Sequence, residues 1–197
     1  MNMGMGYIDA RDFDDNMVLR KRKENVIVGD FDTNTQATLL NGLGRGDDVY
    51  ERNGRQIEMI NIQFSAIAYP VPDTGRAQHA RMMIVYDHQT NGTAISAEDV
   101  LTAPDTVSFS EIDNHRRFDI LMDKCVSLVD SGKGGDEYKY IWYNGQLHLD
   151  TTYNSGTTGH IEDITTGSLY LIAIGTQTPG DTAGLYFARC RVTFKDQ

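Results

Sequence analysis

The sequence has little cysteine, only Cys125 and Cys190 in 197 residues. That scarcity excludes a secreted disulfide scaffold and a multi-thiolate metal site, each of which needs several spaced thiols. Both cysteines are expected to be reduced core residues, since free cysteine packs as a small apolar side chain. Long apolar runs are also missing. No stretch approaches the ~20 residues of a membrane-spanning helix, and Met1 to Asp12 lacks the apolar run of a secretory signal. The chain is therefore expected to be soluble and made inside a cell. Asn91-Gly92-Thr93 spells a glycosylation acceptor, but its Asn-Gly pair is expected to be a turn. Positive charge is in deficit as well, with 18 Lys and Arg against 28 Asp and Glu and a formal charge of −10. A surface that coats phosphate all over is excluded by that balance, so any nucleic-acid contact must be local.

Reactive residues are present but do not converge in sequence. His79, His88, His115, His148 and His160 are scattered and form no HxH or HExxH pair, which argues against a metal-centred enzyme. Cys125, His115 and Asp113 are the nearest approach to a nucleophile set, and the simpler reading is a buried cysteine and a loop histidine. Ser131 to Asp136 holds Lys133 between glycines but lacks phosphate-loop spacing, and no helical pattern follows. Asp47, Asp48 and Glu51 are the candidate ligands for a calcium ion; solvated acids at the start of a strand are the preferred reading. Neither an enzyme nor an obligatory cofactor is expected.

What is present is alternation. Tyr186, Ala188, Cys190, Val192 and Phe194 alternate with Phe187, Arg189, Arg191, Thr193 and Lys195, the pattern of a half-buried strand with a basic outer face. Ile60, Ile62, Phe64, Ala66 and Ala68 form a second stripe, ended by Pro70 and Pro72. Met82 to Tyr86 is continuously apolar, as in a strand covered on both faces. Ser96, Glu98 and Asp99 start a helix that Pro104 keeps short. Phe118 to Val129 reads as a strand with a kink. Tyr138 to Tyr143 and Gln146 to Asp150 read as two pieces broken at Asn144-Gly145, and Ser168 to Gly175 as a further strand. About eight strands and one short helix predict an all-β, single-domain jelly-roll sandwich. Residues 1–39, acidic from Tyr7 to Asn16 and basic from Arg20 to Lys23, are expected to be an N-terminal arm and lead-in, with the roll occupying 40–197.

Several segments, in order, resemble the coat proteins of Rep-encoding circular single-stranded DNA viruses and of the satellite tobacco necrosis virus group. They are Leu40-Asn41-Gly42 leading to Gly46-Asp47-Asp48 and Arg52 to Ile57; Met83 to Asp87, Gln89 to Gly92 and Ala97 to Leu101; Arg117 to Lys124; and Gly167 to Leu171. The resemblance implies a subunit that assembles with copies of itself into a small icosahedral, T=1-like shell. It implies a virion protein, made in the host cell interior, that encloses single-stranded DNA and uses no membrane. An inward arm would bring Arg20, Lys21, Arg22 and Lys23 to packaged phosphate. The sequence departs from the family in having a short, acid-rich arm, so Arg189, Arg191 and Lys195 are further candidates. Tyr153 to His160 and Thr176 to Ala183 are expected to make subunit contacts. The alternative is a carbohydrate- or receptor-binding jelly roll using Trp142, Tyr140 and Tyr143 as a stacking platform.

Overall fold

Short apolar segments separated by turn residues pair into two antiparallel sheets. The computed structural model describes residues 20–32, 37–70, 78–129, 138–176 and 184–197. In chain order the strands are β1 (Lys21–Phe31), β2 (Thr38–Leu39), β3 (Gln56–Tyr69), β4 (Gln78–Asp87), β5 (Phe118–Leu128), β6 (Lys139–Tyr153), β7 (Ile164–Thr166), β8 (Ser168–Gly175) and β9 (Gly184–Asp196). A helix, α1 (Ala97–Val100), follows β4, and a 3-10 turn (Ile161–Asp163) precedes β7. One sheet runs β1-β9-β3-β6-β7 and the other β2-β8-β4-β5. Early and late strands interleave, so β9 lies between β1 and β3, and β8 between β2 and β4. This is a jelly-roll-like sandwich.

The expected fold class is found, with nine described strands rather than eight. β1, β2 and β7 are strands the sequence did not single out, and the two expected pieces around Asn144-Gly145 are one strand, β6; β7 is a three-residue edge strand beside it. Gly167 then turns the chain into the other sheet at φ +81, where a Cβ would lie 2.1 Å from the Asp150 carbonyl oxygen. Glycine suits both demands, the left-handed conformation and the close approach.

The roll also begins earlier than residue 40. Lys21–Phe31 pairs along its whole length with β9, from Lys21 opposite Phe194 to Phe31 opposite Gly184. Its charged alternation conceals the strand, because an edge strand needs only Ile27 and Phe31 fully inward and is protected by charges elsewhere. Residues 1–19, the remainder of the expected arm, lie outside the described residues.

Two further differences have local causes. β6 is continuous through Asn144-Gly145, since Gly145 opposes Ile62 in the ladder. A Cβ there would collide with the Tyr143 ring, so the glycine makes room for an aromatic instead of turning the chain. On β3 a register shift between Met59 and Asn61 places Ile57, Met59, Ile62, Phe64, Ala66 and Ala68 inward and leaves Ile60 half-buried. This is the two-against-one count of a bulge. The kink expected in β5 is likewise a register shift, opposite Ile84 and Val85. Beyond it Cys125 shares its face with Asp123 and Ser127 and is exposed, so only Cys190 is a core cysteine.

The main core lies between the sheets and includes Phe31, Ile57, Phe64, Met82, Ile84, Leu169, Leu171 and Phe194. A second cluster covers the far face of the four-stranded sheet. There Met83, Val85, Tyr170, Ile172 and Ile174 meet Ile95, Ala97, Val100, Leu101 and Phe118 from the β4–β5 excursion. β4 and β8 are therefore apolar on both faces, as read from the sequence. The outer face of the five-stranded sheet has no such cover among the described residues: Val26, Val28, Tyr140, Trp142, Leu185 and Phe187 are exposed there.

Candidate functional site

The period of two that builds β9 also places Arg189, Arg191 and Lys195 on that open face. Cross-strand register arranges their neighbours in rows. Arg189 lies opposite Val26 on one side and Ser65 on the other, and Ser65 lies opposite Trp142. The next row runs Glu24, Arg191, Gln63, Asn144. The small Ser65 between two large side chains leaves a shallow groove of about 410 Å³, lined by Val26, Ser65, Trp142, Asn144, Arg189 and Arg191 among others. Trp142 is 73% exposed and Tyr140 66%. Tyr143, the third member of the expected stacking platform, points the other way and packs against the core.

The three outward cations of β9 differ in what they face. Lys195 pairs with Glu58 at 2.6 Å. Glu58 also accepts from His148 at 2.9 Å, and these two contacts, Lys195 first, hold its carboxyl below the ordinary range. Arg191 pairs with Glu24 at 2.9 Å and reaches Gln63 at 3.4 Å. Arg189 has no carboxylate within salt-bridge distance among the described residues; its guanidinium lies 5.8 Å from the Phe187 ring.

The Arg20 to Lys23 run is not one basic patch, because strand alternation divides it. Arg20 is exposed just before β1. Lys21 turns inward, where it is 3% exposed and donates to the Glu51 carbonyl at 2.9 Å and to Asn53, with Asp196 at 3.0 Å. Arg22 faces outward and bonds the Tyr50 hydroxyl at 3.3 Å, which raises its pKa above the ordinary value. Lys23 is half-buried beside a crevice that also holds His160 and Tyr170. Lys21 is thus engaged in closing the end of the roll.

The acids at 46–51 serve the turn that holds them. Glu51 accepts from the Asp48 backbone N–H at 3.2 Å, and Asp48 from that of Val49 at 2.5 Å. Asp47 is not drawn into this arrangement, and among the described residues no three metal-binding side chains converge.

Residues in the motifs that carried the resemblance form buried latches. Asn41 donates to Thr151 Oγ1 at 2.9 Å and to the Gly167 carbonyl at 2.8 Å, and its side-chain oxygen accepts from the Leu169 N–H at 2.9 Å. Asp87, fully buried, takes a bidentate pair from Arg117 at 2.9 Å. These contacts tie loops to strands and account for the motifs in structural terms.

The expected subunit-contact loop at Tyr153 to His160 is anchored to the chain through two backbone carbonyls, while Asn154, Ser155, Thr157, Thr158 and His160 stay exposed. Thr157 O accepts from the Arg45 N–H at 3.2 Å, and Gly156 O from Arg52 at 2.5 Å. Most of the other loop, Thr176 to Ala183, lies outside the described residues. Exposed apolar side chains occur on the β4–β5 excursion, where Val107 and Phe109 are each 82% exposed and Ile112 76%. Sequence alternation could not single them out, because they sit in a loop with no period. No family model and no curated protein matches this chain.

Proposed function

We propose that the chain is a structural coat subunit that assembles with copies of itself into a small icosahedral shell around a nucleic-acid genome. The observation that carries this reading is the exposure of Val107, Phe109 and Ile112 within six residues of loop. These side chains project from an excursion in which Ile95, Ala97, Val100 and Leu101 are already buried. Large apolar groups left in water next to a completed core are accounted for by burial against another molecule. A jelly-roll-like sandwich supports the reading because its central strands are paired on both sides, leaving loops and sheet faces to make contacts.

The resemblance supplies the shell, the single-stranded DNA cargo and a virion location for the assembled protein. The test is sedimentation velocity of purified wild-type chain beside the Phe109→Asp, Ile112→Asp variant. Rapidly sedimenting closed particles that the variant fails to form support the proposal. A wild-type chain that stays monomeric at high concentration across pH and salt refutes it.

A carbohydrate- or receptor-binding module is the second reading, favoured by Trp142 and Tyr140 standing exposed on one sheet face. Glycan binding that Trp142→Ala abolishes in a folded, unassembled chain would favour it over the shell.

A further inference from the structure

We propose that the groove between Trp142 and Arg189 binds an unpaired nucleotide strand, with a base stacked on the indole and its phosphate on the guanidinium. This deepens the packaging part of the proposed function by naming the form of nucleic acid and the residues that hold it. Three observations lead to it. The outer face of the four-stranded sheet is covered by the chain's own excursion, whereas that of the five-stranded sheet has no such cover at the groove among the described residues. Its register sets Trp142 and Arg189 on either side of the small Ser65, two strands and so roughly 10 Å apart. Arg189 alone among the outward cations of β9 lacks a carboxylate among the described residues, in a chain of net charge −10.

Each group suits one part of a nucleotide. An exposed indole offers a flat apolar face that any base can stack upon, and a strand with unpaired bases can present such a face where a duplex conceals it. The Arg189 guanidinium, 5.8 Å from the Phe187 ring and without a carboxylate partner among the described residues, can offer its N–H groups to phosphate oxygens. The side chains of Gln63 and Asn144, next along the same face, can donate to and accept from base edges. A neutral sugar would use the indole and the amides but would leave the guanidinium unanswered, and this favours an anionic ligand.

Trp142 is the single tryptophan of the chain, so its fluorescence reports on the groove directly. The experiment titrates full-length protein with short oligothymidylate, short oligouridylate, a duplex of equal length and a neutral oligosaccharide. Sedimentation of the same samples reads assembly separately. Saturable quenching by the single strands, weaker with added salt and weaker for the duplex, is expected. Arg189→Ser is expected to lower affinity about tenfold, and Ser65→Leu, which fills the groove floor, to lower it similarly. Comparing the thymidylate and uridylate arms distinguishes a DNA from an RNA source.

Absence of quenching by either single strand, affinity unchanged in both variants, or quenching by the oligosaccharide alone would overturn the proposal. A shell that forms without quenching overturns the nucleotide site and leaves the coat reading standing. Quenching in a chain that never assembles does the reverse.

Discussion

A guanidinium withdrawn from water without a carboxylate in ion-pair contact among the described residues must be compensated by neutral dipoles, and Arg52 finds them in three backbone carbonyls. It donates to Leu43 O at 3.3 Å, Gly54 O at 2.6 Å and Gly156 O at 2.5 Å, and stacks 4.2 Å from the Tyr153 ring centre. Burial lowers its pKa from the ordinary value. The planar fork binds both ends of the β2–β3 connection to the β6–β7 connection at once, which a single ammonium on a flexible stem does not reproduce. Arg52→Lys is therefore expected to destabilise the fold by about 3 kcal/mol, read from urea denaturation. Buried phenols supply a second prediction at this scale. Burial raises the pKa of both Tyr86 and Tyr170 from 10.0 to about 12. Tyr86 also donates to the Asp150 carbonyl at 2.5 Å. Above pH 10 the unfolded phenol loses its proton while the folded one keeps it, so the unfolded state binds fewer protons and stability falls as pH rises. The contribution is whole below pH 10 and is lost between about 10 and 12. Denaturation followed against pH should show this decline, and Tyr86→Phe should make it shallower.

Among the elements, the β4–β5 excursion shows how a polar latch and an apolar lid work together. Arg117 and Asp87 close its base, α1 caps its own first turn through Ser96 and Asp99, and Ile95 to Leu101 cover the sheet. Arg117→Ala would leave the Asp87 carboxylate buried and unpaired, at an expected cost of about 3 kcal/mol. Hydrogen exchange should rise first across the excursion and the adjoining end of β4, ahead of the β3–β9 ladder. Much of this scale was legible in the chain. β9, β8 and β4 announced themselves because burial on one face or two imposes period-two or continuous apolar patterns on Tyr186 to Phe194, Leu169 to Ile174 and Met82 to Tyr86. β1 did not, because an edge strand that buries only part of one face can be written almost entirely in charged residues. The same cause hid the fate of Arg20 to Lys23, where a basic run in sequence became a buried ion pair, an outward cation and a crevice side chain. Gly145 misled for a different reason: a glycine demanded by a neighbouring ring looks, in sequence, like one demanded by a turn. The groove was half visible. Arg189 and Arg191 were read correctly onto the outer face of β9, but their alignment with Ser65 and Trp142 depends on register across three strands. One sequence does not encode that register locally.

For the whole molecule, the asymmetry between the two sheets matters most. One outer face is covered by the chain's own loop, the other has no cover among the described residues and carries aromatic and basic groups, and large exposed apolar side chains stand on the excursion. In the coat reading, the loop patch joins copies and the open sheet face meets the cargo. Subunits joined in this way should gain apparent stability with protomer concentration, since association stabilises only the folded chain. The most direct measurement is negative-stain microscopy of the purified protein, with its absorbance ratio at 260 and 280 nm taken on the same sample. The account predicts closed particles of one diameter, with an absorbance ratio raised by enclosed nucleic acid. A field of dispersed monomers under every pH and salt condition tried would contradict it.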